Sequence, residues 1–275
     1  MSRYHEQVDL LYHQELGGLE MVNAQYRHKN FAKHCHETYT VSVIESGGQK
    51  FFRSNYIHFA PEHSIILINA DDVHTGRASN GVGWSYQAIY PLESHFTKLA
   101  DDLGWQQGFA PYFPNAVVFD PQMACELRQL FACLQYQSNS LLRETMLNSV
   151  LTKLMVKHGK TKKHIKPIPE NKIAIYKVKE YLDSHATDNI SLEYLASRFG
   201  VSAFHLVRLF QRQFGLPPHA YQIQQRLKQA KSLLKKGYSV VDTSTSLGFH
   251  DQSHFHRHFK KVLGITPGKY AKIVS

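Results

Sequence analysis

No stretch of these 275 residues approaches the run of about eighteen apolar residues needed to cross a bilayer, so no transmembrane helix and no membrane partner are expected. Cysteine is scarce. Cys35, Cys125 and Cys133 are too few and too scattered for a disulfide framework. An odd count without a secretion signal in the charged, apolar-poor Met1–Leu11 stretch points to free thiols in a reducing cytoplasm. The third scarcity is acidic charge, and it is local. From Lys172 to Ser275 the chain has sixteen Lys or Arg against six Asp or Glu, whereas residues 1 to 171 carry sixteen of each. The whole net charge of +10 therefore lies in the last hundred or so residues, a distribution suited to phosphate binding rather than to an evenly solvated surface.

That basic region contains an internal repeat. Leu192, Ala196, Phe199, Gly200 and Val201 match Val240, Ser244, Leu247, Gly248 and Phe249 at one constant offset, and one residue later in register Leu206, Arg208, Phe210 and Gly215 match Phe255, Arg257, Phe259 and Gly264. Pro218 and Tyr221 then match Pro267 and Tyr270. Each copy reads as a short helix, a glycine turn and a second helix. Ser191 and Ser202 are expected N-caps in the first copy. Its second helix turns Leu206, Leu209, Phe210 and Phe214 inward and leaves Ala203, Val207, Arg208 and Gln211 outward. In the second copy Phe255, Phe259 and Val262 face inward, with His254, Arg257, His258 and Lys261 opposite. Between the copies, Pro218 to Lys236 reads as one helix with Ile223, Leu227, Ala230 and Leu234 on a stripe and Gly237 as C-cap. Such a strut is about 28 Å long, close to the roughly 34 Å turn of B-DNA, so one chain is expected to present two helices to successive major grooves.

Gly248-Phe249, Gln252-Ser253-His254-Phe255, Arg257, Phe259-Lys260-Lys261, Gly264 and Thr266-Pro267 to Tyr270 resemble the C-terminal signature of the AraC/XylS family of transcription regulators, over roughly residues 172 to 275. The resemblance implies promoter DNA as a partner, with RNA polymerase as a further one. It implies contacts from Ser202, Ala203, Phe204, Val207, Arg208 and Gln211 in the first copy, and from Gln252, Ser253, His254, Arg257 and Lys261 in the second. Arg pairs bidentately with guanine and Gln with adenine, whereas Phe204 and Val207 reach only thymine methyls or sugar, so the first helix is expected to be the less polar reader. Thr243, Ser244, Thr245 and Ser246 give the second copy's first helix mediocre propensity. His250, His254, His256 and His258 crowd its turn and helix, where exposed histidines beside phosphates are the expected reading, since no cysteine pair accompanies them for zinc.

Upstream, Thr38 to Ile44, Lys50 to Arg53, Ser64 to Asn69 and Trp84 to Tyr90 are short runs rich in Val, Ile, Tyr and Phe, which suggest strands of a small sandwich or barrel. Leu92 to Leu103, Gln122 to Tyr136 and Leu141 to Val156 read as helices. His34-Cys35-His36, Gly47-Gly48 at an expected hairpin, Pro61 and Asp72-Val73-His74 resemble the cupin-like sensor barrel of the same family. The resemblance implies a small-molecule effector site at His34, His36, Tyr39 and His74, and a homodimer interface on the helices at 122 to 156. Three readings of the histidines stay open: pocket lining, structural hydrogen bonding, and a three-imidazole metal centre. The glutamate that completes the metal set of cupin enzymes is missing, because Tyr39, Thr40 and Val41 occupy its region. No catalytic residue and no cofactor are expected. Cys35 reads as a small buried residue with redox sensing as the other reading.

The expected architecture is thus two domains. Residues 1–160 form a cupin-like β-barrel with appended α-helices, 161–171 a lysine- and proline-rich linker, and 172–275 an all-α domain with two helix-turn-helix motifs joined by a long helix. The expected function is a cytoplasmic, effector-controlled transcription regulator, read as an activator. The alternative is a cupin-type metal-dependent enzyme or a metal sensor fused to a DNA-binding domain.

Overall fold

A computed structural model describes residues 6–79, 81, 83–102, 110–136, 139–160 and 170–274, with the side chains at 102, 170–173 and 204 left out. The chain divides into two compact units between residues 163 and 164. The expected linker falls, as far as residue 169, outside the described residues, and helix is present from Glu170.

The first unit comprises β1 (Gln7–His13), β2 (Leu19–Tyr26), β3 (Asn30–His34), β4 (Thr40–Arg53), β5 (Tyr56–Pro61), β6 (Ile65–Ile68), β7 (His74–Ala78), β8 (Trp84–Tyr90), α1 (Glu93–Asp102), β9 (Val117–Val118), α2 (Pro121–Tyr136) and α3 (Ser140–His158). One antiparallel sheet runs β1-β2-β8-β4-β6-β9. The first half of β4 pairs there with β6 and β8, while its second half pairs with β5 and β7, and β3 joins β7. The two sheets of this β-barrel-like unit therefore share one strand of 14 residues.

Gly47 and Gly48 do not form the expected hairpin. Gly47 instead lies inside β4, at φ 70°, next to a register irregularity against β8, where a Cβ would meet the Gly83 carbonyl oxygen at 2.4 Å. Only a residue without a side chain fits a strand that bends this close to another backbone. The hairpin sits at Ser54 and Asn55, both at positive φ between the paired Arg53 and Tyr56, the backbone of a two-residue I′ turn.

Residue parity sets the two cores. Leu19, Met21, Val41, Val43, Ile65, Leu67 and Ile89 turn to one face and pack with Leu127, Leu130, Phe131 and Leu134 of α2 and Leu147, Val150, Leu151 and Leu154 of α3. Ala24, Tyr26, Ile44, Ile66, Ile68 and Trp84 turn to the other and meet Phe31, Phe51 and Ala60. With both faces covered, β6 is buried at every position and reads as an unbroken apolar run.

The second unit contains α4 (Glu170–Ser184), α5 (Leu192–Arg198), α6 (Ala203–Phe214), α7 (Pro218–Lys235), α8 (Val240–Ser246), α9 (Gln252–Leu263) and α10 (Pro267–Val274). Its packing repeats as its sequence does: Phe210 and Tyr221 meet edge to face with ring centroids 5.5 Å apart, and their counterparts Phe259 and Tyr270 do the same at 5.5 Å. Ser191 and Ser202 cap α5 and α6 as expected, accepting from the backbone N–H of Tyr194 and His205, while Ser239 and Asp251 do so for α8 and α9. The joining helix α7 carries a residue whose importance the amphipathic pattern hides. Buried Arg226 donates to the carbonyls of Ala186 (2.7 Å), Asp188 (3.0 Å) and Gly248, and so ties the loop after α4 to the turn of the second copy. Gly248 itself is at φ 68° with the Thr187 carbonyl where a Cβ would stand. A guanidinium whose three nitrogens each donate to a carbonyl at this crossing fixes one arrangement of the two segments.

Candidate functional site

The second helices of the two repeats, α6 and α9, each bury an aromatic stripe and expose a polar one. Arg208 and Gln211 on α6, and Gln252, Ser253, Arg257 and Lys261 on α9, are exposed, and Ser202 is exposed at the start of α6, where its hydroxyl is engaged as the cap. These residues stand at the turn and along the outward face, as a helix entering a groove requires. The side chain of Phe204 lies outside the described residues.

Three places depart from the sequence expectation. Val207 does not simply face outward: it is half-buried and lines an apolar cleft with Leu195, Pro217, Pro218 and Gln222, because α5 and the start of α7 close over it. Ala203 is likewise half-buried. His254 and His258 are half-buried rather than exposed, their rings 4.6 Å apart and His254 edge-on to Phe249. Burial, then the positive neighbours, pushes the His258 imidazole down to about 4, with His254, Lys261, His219 and Arg257 facing it. His254 is lowered in the same direction, first by burial and then by Arg257. Both are thus uncharged near neutral pH, which removes them from phosphate neutralisation. His250 and His256 remain exposed.

In the β unit, strand pairing assembles three histidines. His34 of β3 is directly opposite His74 of β7, and His74 is in turn opposite Arg53 of β4, so the three side chains line up on one face across three strands. His36, two residues beyond His34, returns to that face. Ring centroids are 4.3 Å apart for His34 and His74 and 4.9 Å for His36 and His74. Each imidazole Nδ1 meets a main-chain carbonyl: Ala32 at 2.8 Å for His34, Thr38 at 2.9 Å for His36, Asp72 at 2.8 Å for His74. A carbonyl only accepts, so Nδ1 holds the proton in each ring. Burial lowers the pKa of His34 and, with the neighbouring His34 and His36, lowers that of His74 well below the ordinary value. Arg53, wholly buried, is matched by Asp72 at 2.8 Å and by the carbonyls of Leu67 and Phe113. Beside the cluster Tyr90 meets His36 edge-on at 5.7 Å, and the hydroxyls of Tyr26, Tyr86 and Tyr90 hydrogen-bond in a chain, burial pushing the Tyr86 phenol up to about 12.

Tyr39 is not part of this group. It shares the parity of Val41 and Val43 and faces the helices, packed against Phe96 (4.8 Å) and Phe113 (5.8 Å) with its hydroxyl donating to the Pro111 carbonyl. Thr40, one residue on, takes the histidine side, its hydroxyl 3.4 Å from His36 Nε2. Parity counted back from Val41 identifies Thr40; Tyr90 and Tyr86, from a distant strand, give no local signal.

A double helix-turn-helix unit following a β unit with an enclosed polar cluster defines a DNA-binding regulator with its own ligand-binding domain. The comparisons with known proteins agree. Residues 16–151 match the AraC-like ligand binding domain and residues 195–273 a helix-turn-helix domain. YbfI of Bacillus subtilis, an HTH-type transcriptional regulator, is 29% identical over 226 residues, 82% of each chain. AarP of Providencia stuartii, an HTH-type transcriptional activator, is 31% identical over 91 residues, 33% of this chain and 67% of that protein. The fold is shared with ToxT of Vibrio cholerae at a TM-score of 0.57 and 13% identity, over 94% of this chain and 98% of that one. The chain belongs to the AraC family and is a transcription regulator with an N-terminal ligand-binding domain and a C-terminal helix-turn-helix domain that binds DNA. No helix among the described residues is long and apolar enough to cross a membrane.

Proposed function

We propose that this regulator binds its effector at the buried His34, His36 and His74 cluster and reads promoter DNA through Arg208 and Gln211 of α6 and Gln252, Ser253, Arg257 and Lys261 of α9. The observation that carries the effector reading is the convergence of three imidazoles, each orientated by a main-chain carbonyl, beside the Tyr26, Tyr86 and Tyr90 hydroxyl chain. With Nδ1 donating to the main chain, each imidazole offers Nε2 as an acceptor to a ligand hydroxyl, amine or protonated acid, with tyrosine hydroxyls beside them. ToxT, whose fold is similar, has been solved with an unsaturated fatty acid bound, which favours an organic acid as a first class to test. The protein acts in the cytoplasm without catalysis of its own. Its relative Ada of Escherichia coli is a bifunctional activator and DNA repair enzyme, but only 23% of that protein is matched. Two copies associate through the helices at 122 to 156, where Tyr136, Leu141 and Leu142 are exposed, and the DNA-bound form contacts RNA polymerase as an activator.

The test is thermal-shift screening of the whole chain against carboxylic acids, sugars and amino acids, followed by His36→Ala. A ligand that binds only the folded state raises the melting temperature by mass action. His36→Ala is expected to remove that shift and the effector response while retaining basal operator binding. Loss of operator binding with an intact fold would contradict the assignment.

A further inference from the structure

We infer that His34, His36 and His74 form a binding site for one zinc-class divalent transition-metal ion, coordinated by the three Nε2 atoms and leaving a coordination position open. The first ground is placement. One ligand atom from each of the three rings lies within 4.8 Å of the others. A zinc ion takes imidazole nitrogens at about 2.0 to 2.1 Å, which sets a tetrahedral N–N separation of about 3.4 Å, so closure needs movements of about 1.4 Å at most, within reach of small ring rotations.

The second ground is orientation. Metal-bound imidazoles almost always donate their other N–H to a carboxylate or a main-chain carbonyl, which fixes the tautomer and turns the lone pair toward the ion. Here all three rings do so, through Ala32, Thr38 and Asp72. Three rings anchored in this way, each with a ligand atom within 4.8 Å of the other two, present the arrangement that a metal requires. The Thr40 hydroxyl meets His36 Nε2 at a long 3.4 Å, a contact that coordination would exchange for the ion. The nearby positive charge of Arg53 is paired with Asp72 at 2.8 Å, which offsets part of its repulsion of a cation. Nothing in the set calls for a carboxylate ligand: three neutral nitrogens suffice when the fourth position takes water or an anionic oxygen. The site would bind metal whether or not the effector enters there.

The test uses the chelator-treated, full-length protein titrated with cobalt(II) and followed in the visible region, with zinc(II) added in competition. One cobalt per chain is expected, with the d–d bands of a four-coordinate ion that zinc abolishes. His74→Ala and, at the less buried ligand, His36→Gln should lose the bands and weaken zinc binding on the order of a hundredfold. The exposed His250→Ala should keep both. A wild type without the bands at stoichiometric cobalt, or bands that persist in a folded His36→Gln or His74→Ala, would overturn the site. A wild type that takes no cobalt yet still binds an organic effector lost in His36→Ala would overturn the metal and leave the effector reading intact.

Discussion

Arg208 and Arg257 occupy equivalent places in the two repeats but have different neighbours. Arg257 is exposed beside exposed Gln252 and Ser253, whereas Arg208 adjoins half-buried Val207. A bidentate arginine to guanine contact discriminates by roughly 1 to 3 kcal/mol, while a phosphate contact weakens all sequences alike. Arg257→Ala should therefore relax specificity at one operator position and Arg208→Ala should lose affinity with little change in preference, as binding-site selection at one fixed salt concentration will read. An unchanged preference in Arg257→Ala would refute this. His258 gives a second outcome. Its folded pKa of about 4 lies below the ordinary 6.5, so the unfolded chain takes up the proton first as pH falls. Its contribution is complete above about 6.5 and is lost progressively on acidification toward 4. Urea midpoints measured at about pH 7 and about pH 5 should differ less in His258→Gln than in the wild type; equal differences would rule out His258 as the cause. The polar character of these positions is legible from helical spacing. That His254 packs edge-on to Phe249 and against His258 is not, because it depends on the turn brought over α9.

At the level of elements, the weak helix α8 shows how local signals and tertiary context divide the work. Its run of hydroxyl residues reads as poor helix, yet Ser239 caps it and Thr243 and Ser244 are buried where the first repeat has apolar residues. The Thr243 hydroxyl is buried without a partner among the described residues. Thr243→Val, which keeps the shape, should stabilise the protein by about 1 kcal/mol. A lower melting temperature would show that the hydroxyl is satisfied. The helices α1 to α3 follow directly from apolar spacing. The β unit is legible only in part. Gly47-Gly48 resembles a turn because the signal for φ above zero is the same in a hairpin and in a bent strand, and only the approach of Gly83 distinguishes them. β1 gives little signal because its burial alternates weakly on the sheet edge. Nearness in sequence groups Tyr39 with the histidines, and parity separates it from them.

For the molecule as a whole, the division of charge along the chain marks the division of labour: the basic excess and the repeat coincide in the unit from residue 164 onward. Cutting between residues 164 and 170 should release two pieces that each melt cooperatively, and the C-terminal piece should bind operator DNA. Failure of either piece to fold would mean that each needs the other. Within the N-terminal piece, β4 has a further consequence. Because the same 14 residues complete both sheets, neither sheet can open and leave the other intact. Amide protons of β6 and β8 on one side and of β7 on the other should therefore exchange with solvent through one common opening, at a single free energy near that of global unfolding, while the edge strand β1 exchanges sooner. A ligand held among the histidines would then slow exchange throughout the unit, as far as the strands beneath α2 and α3.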